Sequence, residues 1–276
     1  MKRFTLAAMM CVICIALTAC SDDGGGDNPN ALKKIVFVGY QSASSDGDIY
    51  VMNEDGSNIV NLTQTADHES RPNWSPDGTK IYFIKYNAGV YDLYVMNQDG
   101  SNQQKIYSAV SGGDYNISPD GSKIALRSWD GSDEEIYVIN SDGTGLTIMT
   151  DNDLLDDACP SWSPDGNWIA FVSNRDGGGS NYNVYVMSSL SGSIVYKLTS
   201  YNDVQFEVPQ WSPDGTRIAF RRYGNFLLSN NHELFIIGTN GSNLTNISKN
   251  SSNDYYPLWS PDGSKIAFAS EIDGNF

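Results

Sequence analysis

The chain of 276 residues is poor in the side chains that most often carry catalysis or cross-links. It has two histidines, His68 and His232, and after Cys20 its one remaining cysteine is Cys159. A domain built from the later residues therefore has no internal disulfide and must be held together by its apolar core. No stretch after residue 31 shows helical periodicity over ten residues, which argues against a helical fold.

Cationic side chains are also scarce, with 17 Lys and Arg against 33 Asp and Glu and a formal net charge of −16. A surface this acidic repels nucleic acid phosphates and anionic lipid headgroups. It favours basic partners or cations, or it serves solubility alone. We therefore expect no nucleic acid partner.

The N-terminus has the three zones of a secretory signal. Lys2 and Arg3 precede an apolar run over residues 6–17, and small residues end immediately before Cys20. The run is too short to span a bilayer comfortably as a permanent anchor. The segment resembles the bacterial lipobox, which implies cleavage before Cys20 and lipid on that residue. The mature chain then loses two cations and carries about −18. An ordinary signal with an incidental cysteine is the alternative.

Residues 1–19 are thus predicted to be a signal peptide, and residues 20–32 a lipidated and flexible tether. Residues 21–30 are acidic and rich in glycine, and they cannot bury apolar surface. The acidic start resembles the export signal of surface lipoproteins of the Bacteroidetes. The expected location is the bacterial cell envelope, at the outer membrane, on its periplasmic face or at the cell surface.

One five-residue phrase, Trp-Ser-Pro-Asp-Gly, recurs along the rest of the chain. Five copies are present, with prolines 43, 45, 49 and 48 residues apart, and Ile117 replaces tryptophan in the second copy. Proline fixes the first corner of a turn, aspartate can bond the backbone, and glycine supplies a left-handed position. The predicted structural turns are Pro76, Asp77, Gly78, Pro119, Asp120, Gly121, Pro164, Asp165, Gly166, Pro213, Asp214, Gly215, Pro261, Asp262 and Gly263.

The last four residues of this phrase, Ser-Pro-Asp-Gly, are called the tetrad below. Three further strand-like segments accompany each tetrad turn in the repeat. An apolar run such as residues 81–84 follows the turn, then a phrase such as Asp-Ile-Tyr-Val-Met-Asn at 48–53, then a short segment closing at Leu62-Thr63 or its equivalents. Their β-branched and aromatic content fits antiparallel sheet. Four short strands in about 45 residues are typical of a β-propeller blade.

Pro-x-Trp-Ser-Pro-Asp-Gly, Lys-Ile-Ala-Phe, Asp-Ile-Tyr-Val-Met-Asn and Leu-Thr together resemble the TolB-type propeller repeat. The resemblance covers nearly all of residues 33–276 and implies an all-β propeller of four-stranded antiparallel blades. A six-bladed plan with an incomplete last blade is favoured. In the alternative, the last first strand of the chain completes the N-terminal blade, so that five blades close and one strand is surplus. Function is implied far less than fold, because such repeats serve different roles.

Strand topology places two kinds of connection on opposite faces of such a fold. If the strands of a blade are numbered from one to four, the connections from strand one to two and from three to four are the near-constant turns. Connections two–three and four–one vary, as in residues 87–89, 129–133, 174–181 and 223–231. Variable loops on a rigid scaffold usually carry recognition, so any binding surface is expected on this variable-loop face.

Carboxylates recur seven residues before three of the tetrad prolines, at Glu69, Asp157 and Asp254. They are placed near where the first strand enters a central channel, which suggests an acidic funnel for a cation or a basic protein segment. Alternatively, these carboxylates belong to the repeat and hydrogen-bond loop amides. Nearby tyrosines suit an interface. The candidate partner-binding residues are Glu69, Arg71, Asp114, Tyr115, Asp157, Glu207, Asp254 and Tyr256.

Signals for catalysis or metal binding are weak. The chain has no Gly-x-Ser-x-Gly elbow, and its two histidines are too few for the metal site of propeller lyases with related repeats. Residues 151–157 lack the glycine and glutamate of an EF-hand loop, although an irregular calcium site stays open. We therefore expect no enzyme, no cofactor and no metal, with a small residual chance of lyase or hydrolase activity.

Two functions from different classes remain. The first is a non-enzymatic, lipid-anchored propeller, monomeric as a domain, which binds an envelope protein or peptide through the variable-loop face and central funnel. The resemblance implies this envelope role. The alternative is a cell-surface propeller that binds or processes carbohydrate, using exposed rings such as Trp129 and Tyr223 for stacking. Whether those rings face solvent or pack between blades discriminates the two.

Overall fold

A computed structural model describes residues 33–40, 46–152, 154–176, 181–200, 204–224 and 231–271. Within these ranges the regular elements are 21 β-strands in six sheets. The predicted signal peptide and tether, residues 1–32, lie outside the described residues. No helix of this described part has the length and apolarity to cross a membrane.

The chain divides into two compact units, Met1–Gly113 and Asp114–Phe276. The strands of the first two sheets are β1 (Lys34–Gly39), β2 (Asp48–Asn53), β3 (Val60–Asn61), then β4 (His68–Trp74), β5 (Lys80–Asn87), β6 (Val90–Asn97) and β7 (Gln104–Tyr107). The third sheet has β8 (Val110–Ile117), β9 (Lys123–Trp129), β10 (Glu134–Asn140) and β11 (Thr147–Ile148). The unit boundary falls within β8.

Three sheets follow in the second unit. The fourth has β12 (Asp157–Trp162), β13 (Trp168–Ser173), β14 (Asn183–Ser188) and β15 (Ile194–Lys197). The fifth has β16 (Val204–Trp211), β17 (Arg217–Gly224), β18 (His232–Gly238) and β19 (Thr245–Asn246). The last has β20 (Asp254–Trp259) and β21 (Ile266–Ser270).

These sheets are the blades of a β-propeller, as predicted. In the four complete blades the strands are neighbours in chain order. The β1–β3 sheet has three strands and the β20–β21 sheet has two. Five sheets thus have at least three strands, which matches the five-bladed count kept as the alternative, and the β20–β21 sheet is incomplete as a blade.

Each Ser-Pro-Asp-Gly turn is closed by hydrogen bonds between residues two to five positions apart. In the first copy, Gly78 N donates to Ser75 O at 2.8 Å, and Gly78 has a left-handed φ of 68°. The Asp77 carboxylate accepts from the Ser75 hydroxyl at 2.5 Å and from Thr79 N at 3.1 Å. The other four copies repeat this set. The predicted role of the turn is confirmed.

The tetrad tryptophans pack between successive sheets, as their size predicts. Trp74 is 2% exposed and lies in one cluster with Val36 and Ile49 of the first sheet. In the second unit, Trp211 Nε1 donates to the Ser161 carbonyl at 3.0 Å. Trp259 Nε1 likewise donates to Gln210 O at 3.2 Å. Each of these bonds ties a blade to its predecessor.

The Leu-Thr phrase anchors the short outer segment of a blade to its third strand. Thr199 Oγ1 accepts from Val184 N at 2.9 Å and donates to Asn183 Oδ1 at 3.0 Å. The same backbone bond is made by Thr63, Thr150 and Ser248 in other blades. A buried hydroxyl therefore replaces a ladder hydrogen bond where the fourth strand ends.

Candidate functional site

In four blades the first strand carries a β-bulge at the same repeat position. The bulge lies between the variable-loop face and the tetrad turn. The register shifts lie between Ser70 and Asn73, Ala158 and Ser161, Glu207 and Gln210, and Tyr255 and Leu258. Each bulge contains a proline, which cannot donate to the ladder. The residue before that proline has a left-handed φ at Arg71 (52°), Cys159 (53°) and Tyr256 (54°).

A left-handed conformation is rare for side chains of this size, and such residues concentrate where a side chain is re-aimed for function. The bulge residue stands five positions before the tetrad proline. Arg71 and Tyr256, both candidates from the sequence, occupy this position and are exposed. Asp114 is its equivalent in the β8–β11 blade. The bulge therefore presents chemically different side chains from one backbone position.

Asp114 and Cys159 contact one another in the second unit. The Cys159 thiol donates to Asp114 Oδ2, with a distance of 3.6 Å between the sulfur and the oxygen. Arg127 Nε lies 3.3 Å from the same Asp114 oxygen and 3.1 Å from Glu134 Oε2. Asp114 is buried and Tyr115 beside it is half-buried. The negative charge of Asp114 is therefore balanced within the blade.

The three carboxylates seven positions before a tetrad proline are fully buried. Glu69, Asp157 and Asp254 are each 0% exposed. Lys85 Nζ lies 3.5 Å from Glu69, and Arg175 Nη2 lies 2.9 Å from Asp157. Burial raises the pKa of Glu69 despite these partners. This geometry favours the structural alternative over an open acidic funnel, because a bound partner could not reach these oxygens directly.

The remaining candidate, Glu207, lies in β16, where its backbone pairs with Arg221 of β17. Its side chain lies outside the described residues. Of the eight candidates, Arg71 and Tyr256 thus combine exposure with the bulge backbone. In the sequence, a residue-Pro pair five positions ahead of the tetrad proline marks where the bulge lies, but not its left-handed φ.

Four rings form an aromatic row at the variable-loop face of the second unit: Tyr223, His232, Tyr255 and Tyr256. Successive ring centroids are 4.5, 4.9 and 6.0 Å apart. The Arg221 guanidinium lies 5.1 Å from the Tyr255 ring. Burial and the charge of Arg221 lower the pKa of His232, so this ring is neutral at pH 7. Tyr256, 50% exposed, ends the row.

Other large apolar side chains are exposed at this face. Trp129 is 56% exposed at the end of β9, and Leu154 is 78% exposed in the connection from β11 to β12. Tyr223, 37% exposed, uses one ring face on His232. The two rings singled out for sugar stacking therefore differ: Trp129 faces solvent, whereas Tyr223 belongs to a packed row.

A cleft of about 550 Å³ lies at the tetrad-turn ends of the β12–β15 and β16–β19 blades. Asp165 and Asp214 of two tetrads line it, together with Trp168 and Tyr196. Tyr196 is 50% exposed, like Tyr256, but lies on the outer strand β15. It therefore provides a matched comparison for the variable-loop face.

A trio of carboxylates lies at the variable-loop face of the β8–β11 blade: Asp130, Glu135 and Asp151. One oxygen of each lies within 4.8 Å of the others. Glu135 is 0% exposed, whereas Asp130 and Asp151 are exposed. Burial and, to a lesser extent, the nearby charge of Asp157 raise the pKa of Glu135 to about 7. This blade therefore has a concentration of negative charge beside Trp129.

The two histidines take part in packing. His68 Nδ1 accepts a hydrogen bond from Gly47 N at 3.0 Å, and its ring stacks on Tyr40 at 6.2 Å. His232 lies between Tyr223 and Tyr255 in the aromatic row. Neither set of described contacts pairs a histidine with a nucleophilic side chain, so these geometries do not suggest a catalytic base.

Residues 30–228 match the family described as the TolB beta propeller domain. Among curated proteins, no match is found. The family match covers the end of the predicted tether and the first four tetrads. It agrees with the resemblance inferred from the repeat.

Solved structures share the fold. TolB from Acinetobacter baumannii superposes with a TM-score of 0.68 at 20% identity, over 86% of this chain and 59% of that chain. A TolB candidate from Agrobacterium tumefaciens gives 0.63 at 28% identity, over 77% and 73%. An oligogalacturonate lyase from Vibrio parahaemolyticus gives 0.57 at 14% identity, over 97% and 89%. The chain thus spans about three fifths of the length of the Acinetobacter protein.

Proposed function

Because the chain belongs to the TolB β-propeller domain family, we propose that it is a non-enzymatic binding protein of the bacterial cell envelope. It is anchored at the outer membrane by lipid on Cys20 and held at a distance by residues 20–32. It takes an envelope protein or peptide on its variable-loop face. The aromatic row with its half-exposed end, Tyr256, is the observation that carries this proposal.

The row has the composition and rigidity of a protein interface. Tyrosine, tryptophan and arginine contribute most to binding at such surfaces. Tyr256 is fixed by the bulge and by stacking on Tyr255, so little side-chain freedom is lost when a partner binds. Trp129 adds a second exposed ring in the same unit. These anchors replace the acidic funnel as the expected contact area.

The charge of the chain indicates the chemistry of the partner. With a formal net charge of −16 before processing, the surface attracts basic segments and speeds their encounter. We therefore expect a peptide segment that combines lysine or arginine with apolar side chains.

A matched pair of variants tests where the partner binds. The full chain is immobilised, incubated with envelope extract, and its captured proteins are identified and quantified. Tyr256→Ala should reduce capture of the specific partner at least tenfold, whereas Tyr196→Ala, with equal exposure on the outer strand β15, should retain it. Loss with Tyr196→Ala alone would place binding in the tetrad-turn cleft. Equal capture by both variants would refute the proposed surface.

The anchor is tested separately by fractionation. The wild-type chain should sediment with membranes and resist a high-salt wash, because acyl chains bind through the hydrophobic effect. Cys20→Ala should incorporate no labelled fatty acid in growing cells, whereas the wild-type chain should. Equal labelling of the two chains would rule out lipid on this residue.

Carbohydrate binding at the cell surface is the second candidate, and the open ring of Trp129 is the observation that favours it. Flat exposed rings suit stacking on sugars. Saturable binding of a glycan that Trp129→Ala abolishes, with no envelope protein captured, would reverse the order of the two proposals. Turnover of that glycan would show a carbohydrate-processing enzyme instead.

A further inference from the structure

The third strands of the blades share one position, the start of the Asp-Ile-Tyr-Val-Met-Asn phrase, which carries a carboxylate in four of five copies. One oxygen accepts a backbone N–H from the residue 17 positions later, as in Asp48 with Thr65, Asp92 with Ala109 and Glu135 with Asn152. The other oxygen accepts from a side chain 13 positions later. The pairs are Asp48 with Asn61 at 2.8 Å, Asp92 with Lys105 at 3.2 Å, and Glu233 with Asn246 at 2.7 Å.

The β8–β11 blade breaks this rule at the second oxygen. Ile148 occupies the donor position, and its pairing with Tyr137 corresponds to the pairing of Asn61 with Tyr50. Isoleucine cannot donate a hydrogen bond. Glu135 is 0% exposed, and its Oε2 has no hydrogen-bond donor among the residues that the structure describes, while the buried carboxyl of Asp157 lies beside it. A buried carboxylate oxygen without a partner is costly unless something else binds it.

Two further carboxylates, rather than a hydrogen-bond donor, lie close to the side chain of Glu135. Asp130 and Asp151 bring one oxygen each to within 4.8 Å of Glu135 and of each other. Charged carboxylates this close disfavour one another in a partly buried site, and a cation between them relieves this cost. The nearby cations have other partners, since Arg127 pairs with Asp114 and Glu134, and Arg175 pairs with Asp157.

We propose that Asp130, Glu135 and Asp151 bind a calcium ion, which takes the place of the missing donor. Calcium prefers six to eight oxygen ligands in a flexible geometry, and carboxylates with added waters supply them. The all-oxygen ligand set does not suit zinc, which prefers nitrogen and sulfur. The exposure of Asp130 and Asp151 gives the ion a path from solvent.

The ion joins two connections of the variable-loop face. Asp130 lies between β9 and β10, and Asp151 lies between β11 and β12. Trp129 immediately precedes Asp130. Calcium therefore orders the loops beside one of the exposed rings, whatever partner the chain binds. This inference does not depend on the proposed function.

Calorimetric titration of the calcium-free full chain with calcium chloride tests the proposal. One site and a rise in Tm with added calcium are expected, because an ion that binds only the folded chain stabilises it. Glu135→Gln, which has the shape of a protonated glutamate and should fold, is expected to lose at least tenfold in affinity. Asp130→Asn changes an exposed ligand and is expected to show the same loss of calcium affinity. It serves as the test if the Glu135 variant folds poorly.

Two further variants use the internal comparison between blades. Glu233→Gln alters the equivalent residue that already has Asn246 as donor, and it should leave calcium affinity unchanged. Ile148→Asn restores the donor, so calcium affinity should fall at least tenfold while Tm in chelator rises. The proposed site would be overturned if Glu135→Gln bound calcium with wild-type affinity, or if Glu233→Gln lost as much calcium affinity as Glu135→Gln. It would also be overturned if calcium did not raise the Tm of the wild-type chain. Magnesium binding as tight as calcium binding would overturn the choice of ion.

Discussion

Replacing Thr199 by valine tests the idea that a hydroxyl completes the hydrogen-bond ladder of each blade. Thr199 is 4% exposed, and its hydroxyl serves both Val184 N and Asn183 Oδ1. Valine keeps the shape but leaves both groups buried without this partner. Each loss costs roughly 1–3 kcal/mol, and the new buried methyl group returns about 0.8 kcal/mol. The free energy of unfolding should therefore fall by about 1–5 kcal/mol.

Urea denaturation followed by tryptophan fluorescence measures this change as a shift of the midpoint at constant slope. Thr245→Val is the control, because the Thr245 hydroxyl is exposed and donates only to Asn243 O at 3.0 Å. The control should cost less than about 0.5 kcal/mol, as exposed substitutions usually do. If both variants shift the midpoint equally, the hydroxyl does not complete the ladder, and the Leu-Thr phrase needs another explanation.

Three other predictions follow from turns and packing. The Ser212 hydroxyl and Thr216 N–H lower the pKa of Asp214 to about 2 from its ordinary 3.8, so the stability from this turn is present above pH 3.8 and lost as pH falls towards 2; an NMR titration midpoint near 4 would contradict it. Trp211→Phe should cost about 1 kcal/mol more in urea denaturation than Trp162→Phe, because Trp211 Nε1 has an acceptor and Trp162 Nε1 has none within the described part of the chain; equal costs would argue against the bond. Gly192→Ala places a Cβ against the Met149 carbonyl, whereas Gly56→Ala meets open space at a similar positive φ. The Gly192 variant should therefore lose about 1–3 kcal/mol more, measured by thermal unfolding, and an equal loss would show that the contact relaxes.

The fold was predictable because its determinants are local. Every hydrogen bond that shapes a Ser-Pro-Asp-Gly turn joins residues at most five positions apart, as in Ser163 to Trp168. Strand patterns of two-residue period and the spacing of the turns then specify four-stranded antiparallel blades. The number of complete blades was less predictable, because it depends on which terminal segments pair. Residues 34–39 pair with β2, and β20 pairs only with β21 among the described strands.

The candidate site was predictable only in part, because burial and backbone strain depend on neighbouring strands. The sequence located Asp157 as a repeated carboxylate, but its partner Arg175 lies 18 residues away, just after the adjacent strand β13. The sequence also contains the Tyr256-Pro257 pair. A residue before proline is ordinarily extended, so the left-handed φ of Tyr256 could not be read from that pair. Asp130 and Asp151 are 21 positions apart, and only the blade brings them together.

Comparison of the blades with one another separates folding from binding, because the same backbone is built several times. Serine and aspartate recur in all five tetrads, so their hydrogen bonds are what the turn requires. At the bulge, Arg71, Cys159 and Tyr256 share one strained backbone conformation with three unrelated side chains. Cys159 is used inside its unit, where its thiol donates to Asp114 Oδ2. Arg71 and Tyr256 are exposed at this position, so we propose that their side chains, like Ile148 in place of a donor, serve what the variable-loop face binds.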